Sequence, residues 1–107
     1  MTFSLKKNDT SPAMLATLQG ANGVAINLTG ASVRFYMRPV GGGQATVNEA
    51  AVIMAAESGL VRYDWVNGST GTVGSFQSEF ELTYPDGAVE TFPNNGYIRV
   101  EIIDDIA

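Results

Sequence analysis

The sequence predicts an all-β fold, an immunoglobulin-like antiparallel β-sandwich of about seven or eight strands. Three observations predict it. Short runs alternate apolar and polar residues with a period of two, most clearly Phe76-Gln77-Ser78-Glu79-Phe80-Glu81-Leu82-Thr83. Gly, Asn, Asp and Pro punctuate those runs at intervals suited to turns. The chain has 107 residues, enough by surface scaling to bury about 65% of its unfolded surface in one core and too few for two. A single domain over residues 1–107 with a short N-terminal arm is therefore expected.

The elements follow in chain order. Phe3–Lys7 reads as the first strand, ended by Asn8-Asp9-Thr10-Ser11-Pro12, where Pro12 removes a backbone donor. Ala13–Gln19 is the second, with Met14, Ala16 and Leu18 on one face. Gly20-Ala21-Asn22-Gly23 predicts a hairpin tip from which a short strand, Val24–Asn27, returns. Ser32–Arg38 sends Val33, Phe35 and Met37 inward and Arg34, Tyr36 and Arg38 outward, and Pro39 stops it. Residues Asn48–Ala55 fit a strand or a short helix. Strand is favoured because Val52 and Ile53 are β-branched and the neighbours are β. Val61, Tyr63 and Trp65 share the next inward face. Tyr84-Pro85-Asp86-Gly87 predicts a type I turn and a hairpin into Ala88–Phe92. Tyr97–Ile103 closes the fold with Ile98, Val100 and Ile102 inward. Trp65, Phe35, Phe76 and Phe80 are the expected centre of the core, in a chain that has no Cys to form a disulfide.

Composition removes several function classes. With neither His nor Cys, the chain lacks imidazole acid–base chemistry, cysteine nucleophiles and the usual zinc ligands. No cofactor, metal or catalytic residue is expected, and the chain does not read as an enzyme. The net charge is −5, and the six basic residues are dispersed. Neither a phosphate-binding patch nor a polybasic membrane surface is present, so no nucleic-acid or membrane partner is expected. No apolar run is long enough to span a bilayer, and the N-terminus lacks the apolar core of a signal peptide.

The remaining candidates for chemistry are weak. Glu79 and Glu81 share a strand face, but that face is the solvated one, where a carboxylate has no cause to shift. Asp104-Asp105 lacks the oxygen-rich loop spacing of a calcium site. Gly41-Gly42-Gly43 is not followed by the Lys and Ser/Thr of a phosphate-binding loop, and reads as a flexible segment that orders against a partner. Tyr63 and Trp65 read as core. Tyr36, set outward between Arg34 and Arg38, has the composition of an interface. The expected protein-contact residues are Phe3 and Leu5 of the arm, Arg34, Tyr36 and Arg38 of the strand, and the loop Gly41, Gly42 and Gly43. Exposed Tyr36 and Tyr84 leave open a second class of function, a carbohydrate-binding or host-attachment module.

Five stretches carry a resemblance. They are Lys7-Asn8-Asp9-Thr10-Ser11-Pro12-Ala13, Leu28-Thr29-Gly30-Ala31-Ser32-Val33-Arg34-Phe35-Tyr36-Met37-Arg38, and Gly59-Leu60-Val61-Arg62-Tyr63-Asp64-Trp65. Phe76 through Gly87 is the fourth, and Glu90-Thr91-Phe92-Pro93 with Tyr97-Ile98-Arg99-Val100 the fifth. Together, from about Phe3 to Ile102, they resemble the N-terminal domain of tailed-phage baseplate upper proteins and small stand-alone relatives among phage structural proteins. The resemblance implies an Ig-like sandwich that builds virions through contacts with other virion proteins and with copies of itself. It also implies a virion location, after assembly in the bacterial cytoplasm. In the baseplate proteins the domain anchors a longer chain that carries receptor-binding proteins. This sequence stops at Ala107, so capsid decoration, a place at the neck, or a place in the tail or baseplate are the expected roles.

Overall fold

The computed structural model describes residues 2–106. Nine strands form two facing sheets. The strands are β1 (Thr2–Lys6), β2 (Met14–Thr17), β3 (Ser32–Pro39), β4 (Val47–Ala50), β5 (Val52–Ala55), β6 (Leu60–Tyr63), β7 (Gly74–Thr83), β8 (Val89–Phe92) and β9 (Ile98–Ile103). The larger sheet runs β1-β9-β7-β3-β4, with β8 also paired to β7; the smaller runs β2-β6-β5. This is the expected all-β, Ig-like sandwich, with nine strands among the described residues in place of the seven or eight expected.

One pairing departs from an antiparallel arrangement. β1 runs parallel to β9, from Thr2 opposite Arg99 to Lys6 opposite Ile103. A parallel neighbour needs a long connection, and here the whole remainder of the domain supplies it. The expected N-terminal arm is thus an edge strand of the larger sheet. After it, Asn8 donates to Thr70 O at 3.0 Å, and the buried Thr70 hydroxyl donates to Asp9 O at 2.8 Å. These bonds fasten the β1–β2 connection to the loop before β7. Thr70→Val keeps the shape and removes the hydroxyl, so it is expected to cost about 1 kcal/mol in urea unfolding.

The segment from 47 to 55 is extended throughout, and it changes sheets. Ala51 donates to Val33 O at 2.9 Å, the last bond to β3, and the next residues pair with β6 instead. Val47 faces the core, while Val52 and Met54 face outward from the smaller sheet. A 3-10 turn, Ala56–Ser58, follows and ends on Gly59 in the left-handed region. The chain thereby closes one side of the sandwich with a single crossing strand.

The expected return strand at Val24–Asn27 is reduced to an isolated bridge between Gln19 and Ala25. The turn itself forms, with Gly20 donating to Val24 O and Gly23 at φ 77°. Pairing then stops because the Asn27 carboxamide accepts from the Thr29 amide, and Leu28 leaves to fill the core with no exposed surface. The β7–β8 hairpin forms as expected: Gly87 sits at φ 89° and donates to Tyr84 O at 2.9 Å.

The core lies between the sheets. Phe35 stacks on Tyr63 at 4.2 Å between ring centroids, meets Phe80 at 5.2 Å, and is edge-on to Trp65 at 5.7 Å. Phe76 joins this buried set. The one polar side chain of β7 in the core, Ser78, donates to Ile98 O at 2.9 Å, so its burial leaves no orphan hydroxyl.

Candidate protein-contact face

The outer face of the larger sheet carries the row that alternation put outside. Register sets Arg34 opposite Glu81, Tyr36 opposite Glu79 and Arg38 opposite Gln77 on β7. Arg34 does not reach for Glu81. Its Nε donates to Asn48 Oδ1 and its Nη2 to Asn48 O, both at 2.9 Å, which fixes the guanidinium along β4. Arg38 lies over the Tyr97 ring, its Cζ 5.7 Å from the centroid, with Nη2 at 3.5 Å from the phenol oxygen. The two ion pairs among the described residues, Arg62–Asp64 and Arg99–Glu101, involve neither of these arginines.

Around Arg38 the face dips into an open groove of about 270 Å³, bounded by Tyr36, Arg38, Gly43, Gln77, Glu79 and Tyr97. It combines a cation held on an aromatic ring, a carboxylate, an amide and two tyrosines. Such a set recognises polar or acidic groups through hydrogen bonds from its guanidinium, amide and phenols. It contains no nucleophile paired with a base. The loop above it, between β3 and β4, is anchored by Val40 donating to Ser75 O and Thr46 donating to Met37 O. Between those anchors Gly41, Gly42 and Gly43 have φ near +100°, and a Cβ at any of them would meet nothing within 4 Å. Glycine is needed there for conformation, and the loop stands free of the body.

The structure brings Tyr36, Arg38 and Gly43 together at the groove, while Arg34 lies on the same face tied to Asn48, and Gly41 and Gly42 stand in the free part of the loop. It does not bring Phe3 or Leu5 to them. Leu5 is 6% exposed and belongs to the core, and Phe3 is half-buried against Trp65 at 5.8 Å. Both face the second sheet, because pairing with β9 turns their side of β1 inward. They are therefore structural side chains of the isolated chain. Tyr97 and Gln77 complete the groove without having been singled out. The signal was there, since Tyr97 opens the expected strand Tyr97–Ile103, whose even positions point inward.

Other candidate groups are accounted for by packing. Tyr63 and Trp65 are buried, and burial pushes the Tyr63 phenol above its ordinary value. The Tyr84 hydroxyl donates to Glu90 Oε1 at 2.6 Å, a bond that also raises its pKa. Asp104 and Asp105 are exposed beyond β9, and among the described residues no three acidic groups gather as a metal site. Glu101 accepts from Arg99 and from Ser75, and both bonds lower its pKa. A depressed carboxylate contributes stability that is present above its unfolded value and lost as pH falls through the folded one. Glu101→Gln is expected to flatten the fall in Tm below about pH 4.3, read by thermal melts across an acid series.

A second, more apolar groove of about 390 Å³ runs along the other side of the sandwich. It lies between β2 and the β8–β9 connection, where Leu18, Gln19, Phe92, Pro93 and Asn95 meet Tyr97. No crossing strand closes the sandwich on this side.

No family model matches the chain, and no curated protein matches it. Among solved structures, the crystal structure of CopC from Methylosinus trichosporium OB3b aligns with 97% of this chain and 85% of its own, at a TM-score of 0.50 and 15% identity. At that identity the likeness is one of fold.

Proposed function

We propose that this chain is a non-enzymatic structural component of a tailed-phage virion, at the capsid surface, neck or tail, acting through protein–protein contacts. The observation that carries the reading is the outward row Arg34, Tyr36 and Arg38, joined by Tyr97, on the face of the six-stranded sheet. Arginine and tyrosine dominate contact energies because they combine large area with directed polar groups. The row coincides with one of the stretches that resemble phage virion domains, and that resemblance runs nearly the whole length of the chain. Mass spectrometry of purified particles tests the assignment. The chain is expected in multiple copies per particle, and its absence would overturn the proposal. In particles grown with Tyr36→Ala/Arg38→Ala, incorporation is expected to fall by about tenfold or more. The Tm of the isolated variant is expected to change little, because both side chains point out of the core.

A second reading, a glycan-binding module, draws on the groove itself. Tyr36 and Tyr97 flank Gln77 and Glu79 there, a mix of aromatic and polar groups that suits a sugar. Glycan-array binding that disappears with Tyr36→Ala would favour this reading over the first.

A further inference from the structure

We propose that the free edge of β2 is a self-association site, where a second copy of this chain pairs antiparallel across a two-fold axis and joins the two smaller sheets into one. This deepens the contact role proposed above by naming one surface and one partner.

The backbone is arranged for it. β2 pairs with β6 on one side only. Leu18 donates to Gly59 O and accepts from Ile26 N, so the amides of Leu18, Ala16 and Met14 turn toward β6. By alternation those of Leu15 and Thr17 turn the other way, along the open groove. A two-fold axis through Ala16 sets Leu15 opposite Thr17 of the second copy, and Thr17 opposite its Leu15. Each pair then exchanges both of its N–H···O bonds. Ala16 meets its own copy at the axis, at a non-hydrogen-bonded position where strands approach most closely and a small side chain fits. Outward Leu15, 53% exposed, gains a neighbour across the new seam.

The charge distribution lets a second copy of this acidic chain approach at β2. The chain carries −5, so most of its surface repels a like molecule. From Thr10 to Val33 there is no charged residue at all, and β2 lies inside that stretch. The other edges carry devices that discourage pairing. β1 ends in Lys6 and is followed by Lys7, β4 bears Glu49, and β8 bears Glu90 and runs into Pro93. β5 is interrupted by a bulge between Ile53 and Ala55. β2 has neither charge nor bulge.

Sedimentation equilibrium of the full chain, from micromolar to millimolar, tests the proposal. A monomer–dimer equilibrium is expected, and Leu15→Lys is expected to weaken it about tenfold or more while leaving the melt unchanged, since a charge on an edge blocks pairing. Thr17→Lys, also on an exposed side chain, serves as the second variant. Because the chain has no Cys, Ala16→Cys supplies an independent reading. Under mild oxidation it is expected to cross-link into a covalent dimer far faster than Val89→Cys, which places an exposed thiol on β8. The proposal is overturned by a monomer at every concentration, by a dimer that both lysine variants leave intact, or by Ala16→Cys cross-linking no faster than Val89→Cys. None of these results bears on whether the chain is found in particles, so the two proposals fail separately.

Discussion

Phe35→Ala is expected to cost about 4 kcal/mol of folding stability, the middle of the range for truncating a buried aromatic. Phe35 has no exposed surface and touches Tyr63, Trp65 and Phe80 at once. Removing the ring opens a cavity that both sheets border, and β3 is held too firmly between β7 and β4 to collapse into it. For a domain of this size that loss lowers Tm by roughly 20 °C. Phe35→Leu retains most of the volume and is expected to recover more than half of the stability. Equal destabilisation by the two variants would contradict the assignment of Phe35 as the volume that joins the sheets.

Gly59→Ala is the second large effect, and its cause is backbone rather than core volume. Gly59 has φ +69°, and a Cβ there would lie 2.7 Å from Leu18 O and 2.9 Å from Ile26 O. Both obstacles are main-chain atoms. They belong to the junction where the end of β2 meets the segment returning from the Gly20–Gly23 turn. The left-handed conformation costs a non-glycine residue about 1 kcal/mol, and relieving the clash brings the expected total to about 3 kcal/mol. Gly42→Ala separates the two causes. Its φ is +103° but a Cβ there is in open space, so only the conformational cost remains. Urea unfolding of the two variants side by side is expected to show Gly59→Ala as the more destabilised by a wide margin.

The parts of the fold that were legible in the sequence are those written into local alternation. Phe76, Ser78, Phe80 and Leu82 go inward because a strand repeats every second residue, and the same rule put Arg34, Tyr36 and Arg38 on the outer face. The Tyr84–Gly87 turn was legible because Gly87 answers a specific φ requirement. The illegible parts depend on distant partners. Nothing within Thr2–Lys6 says that its neighbour is the last strand, or that the pairing is parallel, so Leu5 reads equally well as an arm residue or a core residue. The sheet change at Ala51 was equally silent, since both halves are extended and only their hydrogen-bond partners differ. The same limit applies to the contact face. Arg34, Tyr36 and Arg38 were found from one strand, whereas Tyr97 joins them only because β9 lies two strands away in the folded sheet.

Cryo-EM reconstruction of the particle to which the proposed virion role assigns this chain tests the central claim most directly. The account predicts symmetry-repeated density for a two-sheet domain of about 45 × 26 × 22 Å, with the Arg34, Tyr36 and Arg38 face or the β2 edge against a neighbouring protein. A particle whose density is fully assigned to other chains, with no place for this domain, would contradict it.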